Sequence, residues 1–386
     1  MPWTSKQTQA FPYRELHKRL LAQAPEGNFN LGRRCQQAIQ GWKQYVVPYT
    51  PPVDSLVTRG PPPDTIANIV TTLLLQTTED TSITHPSVSP QIKPLMDIWP
   101  TVWIWIQFLH ARVLKARKDL LNEEDMVNER SRYEAVVNGL LFFLGYNLEI
   151  NDSLNELTML VRHTDGVFKM MATSWIEESK DKQAKLGYSA GGMHHPSVRH
   201  SWPDIEKFMI AGCGGNKNQV ANYAFLRITH SLHRPRHRRA SLDADTYLHL
   251  AQDMAYVRTI MDLPSSTLYE ASRARPGCMA FCMDTMLCLM KPRHLPIQYD
   301  LFSTAMVIVG LYCSSIQPYA GIRELIESRF FDVLARNPLK STSLESHDKV
   351  ALNRFNLTAA QVIGLIGSHS YGNPDCRKPS GTTLEK

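Results

Sequence analysis

The densest set of charge-bearing residues in this sequence is Arg227, His230, His233, Arg234, Arg236, His237, Arg238 and Arg239. Cations this close together suit three tasks: gripping phosphates, marking a chain for nuclear import, or docking on an acidic partner. Pro235 places the set in a loop, where its side chains reach solvent. The plainer role is a solvated interhelical loop beside a helix C-terminus, where cations offset the helix dipole. Aromatic residues that would stack on bases are not interleaved with them. Arg234, Arg236, Arg238 and Arg239 are the candidate partner-binding residues, for an acidic protein first and for nucleic acid second. Arg238, Arg239, Ala240 and Ser241 also have the form favoured by basophilic kinases, so Ser241 is a candidate phosphosite. Phosphate there would gain from a helix N-terminus and the arginines and lose against Asp243 and Asp245. The simpler role for Ser241 is an N-cap.

Sulfur ligands form a second group. Cys278, Cys282 and Cys288 share a helix with Met279, Met283, Met286 and Met290. Soft sulfur suits copper(I) or zinc. Cys278 and Cys282 lie four apart on one face while Cys288 projects elsewhere, and the methionine stripe reads as adaptable core packing. His194, His195, His200 and Cys213, interrupted by Pro196 and Pro203, match no zinc spacing and read as surface side chains. Gly212, Cys213, Gly214, Gly215, Asn216 and Lys217 resemble a phosphate-cradling loop, but the spacing is wrong and no strand precedes them. A glycine-ended helix and tight connector explain them better. No nucleophile elbow, H-E-x-x-H run or dinucleotide fingerprint occurs. The expectation is therefore no catalytic residue, no cofactor and no bound metal.

The elements that carry these residues read as helices throughout. Residues 98–121 are the central one. Trp99, Val102, Trp103, Ile106, Leu109, Val113 and Leu114 recur at spacings of three and four, and Ile104, Trp105 and Phe108 add apolar surface on the other faces of its first half. His110, Arg112, Lys115, Arg117 and Lys118 alternate with the stripe in the second half. Further helices are expected at 13–24, 31–45, 64–74, 123–144, 153–178 with a break at Gly166, 203–211, 216–232, 242–262, 265–290, 298–315, 321–335 and 358–366. Residues 179–202 read as a polar, glycine-rich surface excursion. No stretch shows the period-two alternation of a half-buried strand.

This order predicts an all-α protein of irregular stacked helix hairpins, with an α-solenoid of armadillo or HEAT type as the finer guess. No fixed repeat is found. The domain plan is N-terminal helices over 1–47, a proline-rich connector over 48–63, a main helical domain over 64–368 and a polar, disordered tail over 369–386. Hydrophobic residues make up 43% of the 386 and charged ones 20%, enough core material for such a body. A net charge of +6 permits an acidic partner without requiring one. Seven scattered cysteines, an odd number with no secretory signal before them, predict reduced thiols and an intracellular protein, cytoplasmic or nuclear. The longest apolar runs fall short of a membrane span.

Trp99, Trp103, Trp105 and Phe108 together resemble a tryptophan-spaced helix of large fungal proteins that carry MYND-type zinc fingers, over about 94–144. That family's finger needs a series of Cys pairs ending in His and Cys. This chain lacks the series, and Cys313 alone echoes one turn of it. The resemblance implies the helical part of such a protein, with no zinc function. The function expected is a non-catalytic helical scaffold for an unidentified protein partner. A nucleic-acid-binding protein using 227–239 is the alternative, and an enzyme with a site assembled from distant helices stands below it.

Overall fold

The structure is a computed structural model. It describes residues 32–48, 63–79, 92–115, 123–144, 156–181, 189–194, 201–232, 244–264, 266–289, 296–314, 318–335 and 346–372. Among these, fifteen α-helices and one 3-10 turn occur, and no strand, so the all-α class holds. The chain divides into two compact units, Met1–Phe208 and Met209–Lys386. The span 64–368 expected as one domain is thus shared between them. The helix expected at 13–24, most of the proline-rich connector and the tail from 373 lie outside the described residues. Among the described residues no helix is long and apolar enough to cross a membrane.

The first unit contains α1 (Gly32–Tyr45), α2 (Pro63–Glu79), α3 (Ile92–Lys115), α4 (Glu123–Phe143), α5 (Glu156–Arg162), α6 (Val167–Lys180) and the 3-10 turn Ser189–His194. It also takes the start of α7 (Trp202–Gly212). The tryptophan-rich α3 begins six residues earlier than its apolar spacing implied and includes Pro100. Pro100 lies on the exposed side of the helix, and its missing amide leaves one carbonyl a turn earlier without its helical partner. Leu95, Ile98, Trp99, Val102, Ile106, Leu109 and Val113 are all buried, the expected single face. Ile104, read as packed on a second face, is instead exposed.

Trp99 shows how this face is held. Its ring stacks on Trp103 at 5.9 Å and tilts against Phe143 of α4 at 5.0 Å. Its Nε1 donates to Thr164 Oγ1 at 2.9 Å. Aromatic pairs of this kind add about 0.5–1.5 kcal/mol each beyond burial. The break at Gly166 is present, with φ 87 between α5 and α6. A Cβ there would stand 3.5 Å from the Trp103 ring, so the site asks for glycine through φ rather than through space.

The second unit contains α8 (Lys217–Leu232), α9 (Ala244–Asp262), α10 (Tyr269–Arg273), α11 (Cys278–Leu289), α12 (Pro296–Cys313), α13 (Pro318–Glu327), α14 (Phe330–Ala335) and α15 (Ser346–Gly372). Its organising element is α12. From Leu301 to Met306 every residue is buried, as are Ile308, Val309, Tyr312 and Cys313. A helix buried on all sides must be wrapped by others, and α9, α11, α13 and α15 pack on it. Phe302 stacks on Phe355 at 5.2 Å, and a Cβ at Gly310 would meet Thr358 Cγ2 at 2.7 Å. These contacts ascend both helices together, so α12 and α15 run parallel.

Three expected helices are redrawn here. The stretch 265–290 splits into α10 and α11, because Pro276 interrupts the backbone ladder and Gly277 turns at φ 77. The stretch 321–335 splits into α13 and α14 at Arg329, whose φ is 70. The short helix at 358–366 is the middle of a 27-residue one.

Candidate functional site

Four arrangements bring chemistry-bearing side chains together, and the first lies inside the first unit. His110 of α3 was read as one of the polar residues alternating with the stripe, yet it is 6% exposed. Its ring lies over Tyr133 of α4 at 6.2 Å, and its Nε2 shares a 2.8 Å hydrogen bond with Ser174 Oγ of α6. Burial pulls the imidazole down to about 4, against the raising influence of Glu177. One turn beyond Ser174, the fully buried Glu178 accepts from Tyr133 Oη at 3.0 Å. It also accepts from the Ala190 amide at 2.9 and 3.2 Å.

The 3-10 turn is therefore tied inward, with Ala190 and Met193 at 0% exposure, and is not the surface excursion its glycines implied. A serine beside a neutral histidine is the opening of a nucleophile–base pair. Here the carboxylate holds Tyr133 and the turn, and Ser174 is 0% exposed. The arrangement works as a satisfied interior network that locks α3, α4, α6 and the turn together.

The second arrangement corrects the reading of the basic run. Arg227 is 0% exposed and its Nε donates to Asp253 Oδ1 of α9 at 2.8 Å. It cannot meet a phosphate. Burial raises the Asp253 carboxyl, and the Arg227 charge and hydrogen bond oppose this. Arg234, Arg236, Arg238, Arg239 and Ser241 lie outside the described residues, as do His195 and His200. Cys213 is half-buried just after α7, where Gly214 and Gly215 turn at φ 64 and 83 and the Gly215 amide reaches Ile210 O at 2.9 Å. That is the expected glycine-ended helix.

The third arrangement joins α8, α11, α12 and α13. Glu324 of α13 accepts from the Met279 amide in the first turn of α11 at 3.0 Å. Tyr312 Oη lies 3.2 Å from Glu324 Oε2 and 3.1 Å from the Arg275 carbonyl, to either of which it donates. A remote carboxylate thus caps α11, where the helix dipole favours negative charge. The Arg275 guanidinium sits 4.3 Å over the Phe225 ring, with Asn222 Oδ1 at 3.4 Å. Below the cap, Cys278, Met279, Cys282, Met283, Met286 and Leu289 are buried, the core packing that their spacing implied. Burial pushes the Cys313 thiol up to about 12, helped by Cys278 and Glu324. Among the described residues no group of three or more His, Cys, Asp or Glu side chains is placed to hold a metal ion.

The fourth is a surface. On α15, Phe355, Ala359 and Val362 face inward. The outward half presents Asn353, Asn356, Leu357, Ala360, Gln361, Ile363 and Gly364, all exposed and none charged. Leu357 is 67% exposed and Ile363 49%. Cβ atoms built at Gly364 and Gly367 meet nothing within 4 Å. Sequence reasoning missed this face because it placed only a short helix there.

Compared with known proteins, the chain matches no protein-family model, no curated protein and no solved structure.

Proposed function

We propose that this chain is a non-catalytic helical scaffold that works inside the cell by holding another protein against the outward half of α15. The observation that carries the reading is the exposed, uncharged set Asn353, Asn356, Leu357, Ala360, Gln361, Ile363 and Gly364 on the outward half, beside the half-buried Arg354. Free helix surfaces ordinarily carry charges on their solvent side, whereas the centre of an interface is depleted of them. The interior polar groups support the same reading. His110, Ser174, Glu178, Arg227 and Asp253 are buried and bonded inside their own units, which suits architecture rather than turnover. Kinship with the helical part of MYND-type proteins, drawn from about 94–144, belongs to the same proposal.

The test is the double variant Leu357→Asp/Ile363→Asp. Because both side chains point outward, its thermal unfolding should match wild type, while capture of the partner from cell extract is lost. Capture that persists would overturn the proposal. So would salt-sensitive binding of the wild type to single-stranded RNA or duplex DNA that is lost in Arg236→Ala/Arg238→Ala/Arg239→Ala, since that pattern marks a nucleic-acid protein.

A further inference from the structure

The outward half of α15 is shaped to meet a copy of itself. At about 100° of turn per residue, Asn353, Asn356, Leu357, Ile363, Gly364 and Gly367 all fall within about 60° of Ala360. The buried Phe355, Ala359 and Val362 lie outside that arc. None of the seven residues on the stripe is charged, and all are exposed except the half-buried Gly367. Arg354, also half-buried, stands about 120° round the helix from Ala360 and so off the stripe. Leu357, 67% exposed, and Ile363, 49% exposed, are the knobs of this surface. Gly364 and Gly367 are its hollows, since Cβ atoms built on them meet nothing within 4 Å.

The order of knobs and hollows selects the occupant. An antiparallel copy related by a two-fold axis through Ala360 sets Ala360 against Ala360 and Leu357 against Ile363. It also sets Asn356 against Gly364 and Asn353 against Gly367. Each larger side chain then meets an apolar partner or a hollow, and no charge is brought against a like charge. A parallel copy would lay Gly364 on Gly364 and Gly367 on Gly367, leaving two layers unfilled, which packing disfavours. We propose that a second copy of this chain docks antiparallel on the outward half of α15 and forms a symmetric dimer. The inference rests on the reading of α15 as an interface and names its partner. Two heptads of one helix fall short of the roughly 800 Å² per partner of a standard interface, so the dimer is of the weak, reversible class.

The test is sedimentation of the purified full chain across the micromolar range. Wild type should pass from monomer to dimer as concentration rises, and Leu357→Asp/Ile363→Asp should stay monomeric throughout. Mild oxidation of single-cysteine additions then reads the register, with oxidised wild type setting the background from the native thiols. Ala360→Cys should gain an intermolecular disulfide, because its two copies meet on the axis. Asn353→Cys should gain none, because its two copies lie about 21 Å apart along the helices. Cross-linking of both variants marks a parallel pair and overturns the proposal, as does a dimer that persists in Leu357→Asp/Ile363→Asp. A monomeric wild type whose photo-adduct from position 357 contains a different polypeptide overturns self-docking alone and leaves the interface reading standing. A monomeric wild type with no such adduct overturns both.

Discussion

Acid should find this protein through His110. The imidazole lies at about 4 in the folded chain against an ordinary 6.5, chiefly because it is buried between α3, α4 and α6. A histidine whose folded value lies below its unfolded one binds its proton less well when folded. Between the two values the unfolded chain holds more protons, so stability falls as pH drops from about 6.5 towards 4 and levels off below that. Each pH unit in this window is worth about 1.36 kcal/mol, giving about 3 kcal/mol in full and about 2.5 kcal/mol at pH 4.5. Carboxylates titrate in the same range, so the quantity to measure is a difference. Urea unfolding of wild type and His110→Gln, repeated from pH 7.5 to 4.5, isolates it, because glutamine retains a hydrogen-bonding partner for Ser174 but does not titrate. The advantage of wild type over the variant should shrink by about 2.5 kcal/mol across that range. A difference that stays flat, or an His110 ring that titrates near 6.5 by NMR, would refute the reasoning.

Other perturbations probe the remaining contacts. Arg227→Met strands a buried Asp253 and should cost about 3–5 kcal/mol in urea unfolding, whereas Arg227→Met/Asp253→Leu should recover most of it. Gly310→Ala forces a methyl to within 2.7 Å of Thr358 Cγ2 between parallel helices and should lower stability by about 1–3 kcal/mol. Gly364→Ala on the open face should instead raise it by up to about 1 kcal/mol, and calorimetry of the two separates packing from helix propensity. Tyr312→Phe removes the donor to Glu324 and the Arg275 carbonyl and should cost about 1 kcal/mol, with faster amide exchange in the first turn of α11.

The helical class was legible because apolar residues repeat at three and four over most of the chain. The limits of α8 differ from the expected 216–232 by a single residue at the start, and Gly166 declares its break by residue type alone. The errors share a cause, which is that burial depends on partners far along the chain. His110 sits among cations in sequence, yet Ser174, which it bonds, lies 64 residues away. Arg227 opens a run of basic residues, but it stands inside α8 facing Asp253, before the loop begins. A run of like charge that crosses a helix end is therefore not one surface. The length of α15 was hidden because its buried residues, Phe355, Ala359 and Val362, cover only two turns, and Asn353, Asn356, Gly364 and Gly367 interrupt the apolar spacing around them. The cap that Glu324 places on α11 had no local signal, since its carboxylate arrives from 45 residues away.

Site-specific photo-cross-linking puts the proposed interaction surface to its most direct trial. A photoreactive residue at position 357, in the full chain expressed in its own cells, should yield one discrete adduct with a second polypeptide. The same residue on the buried side at 362 should yield only intramolecular products. An adduct that disappears with Ile363→Asp would fit a partner seated on the outward half of α15. No adduct from 357, or the same adduct with Ile363→Asp in place, would contradict the scaffold reading.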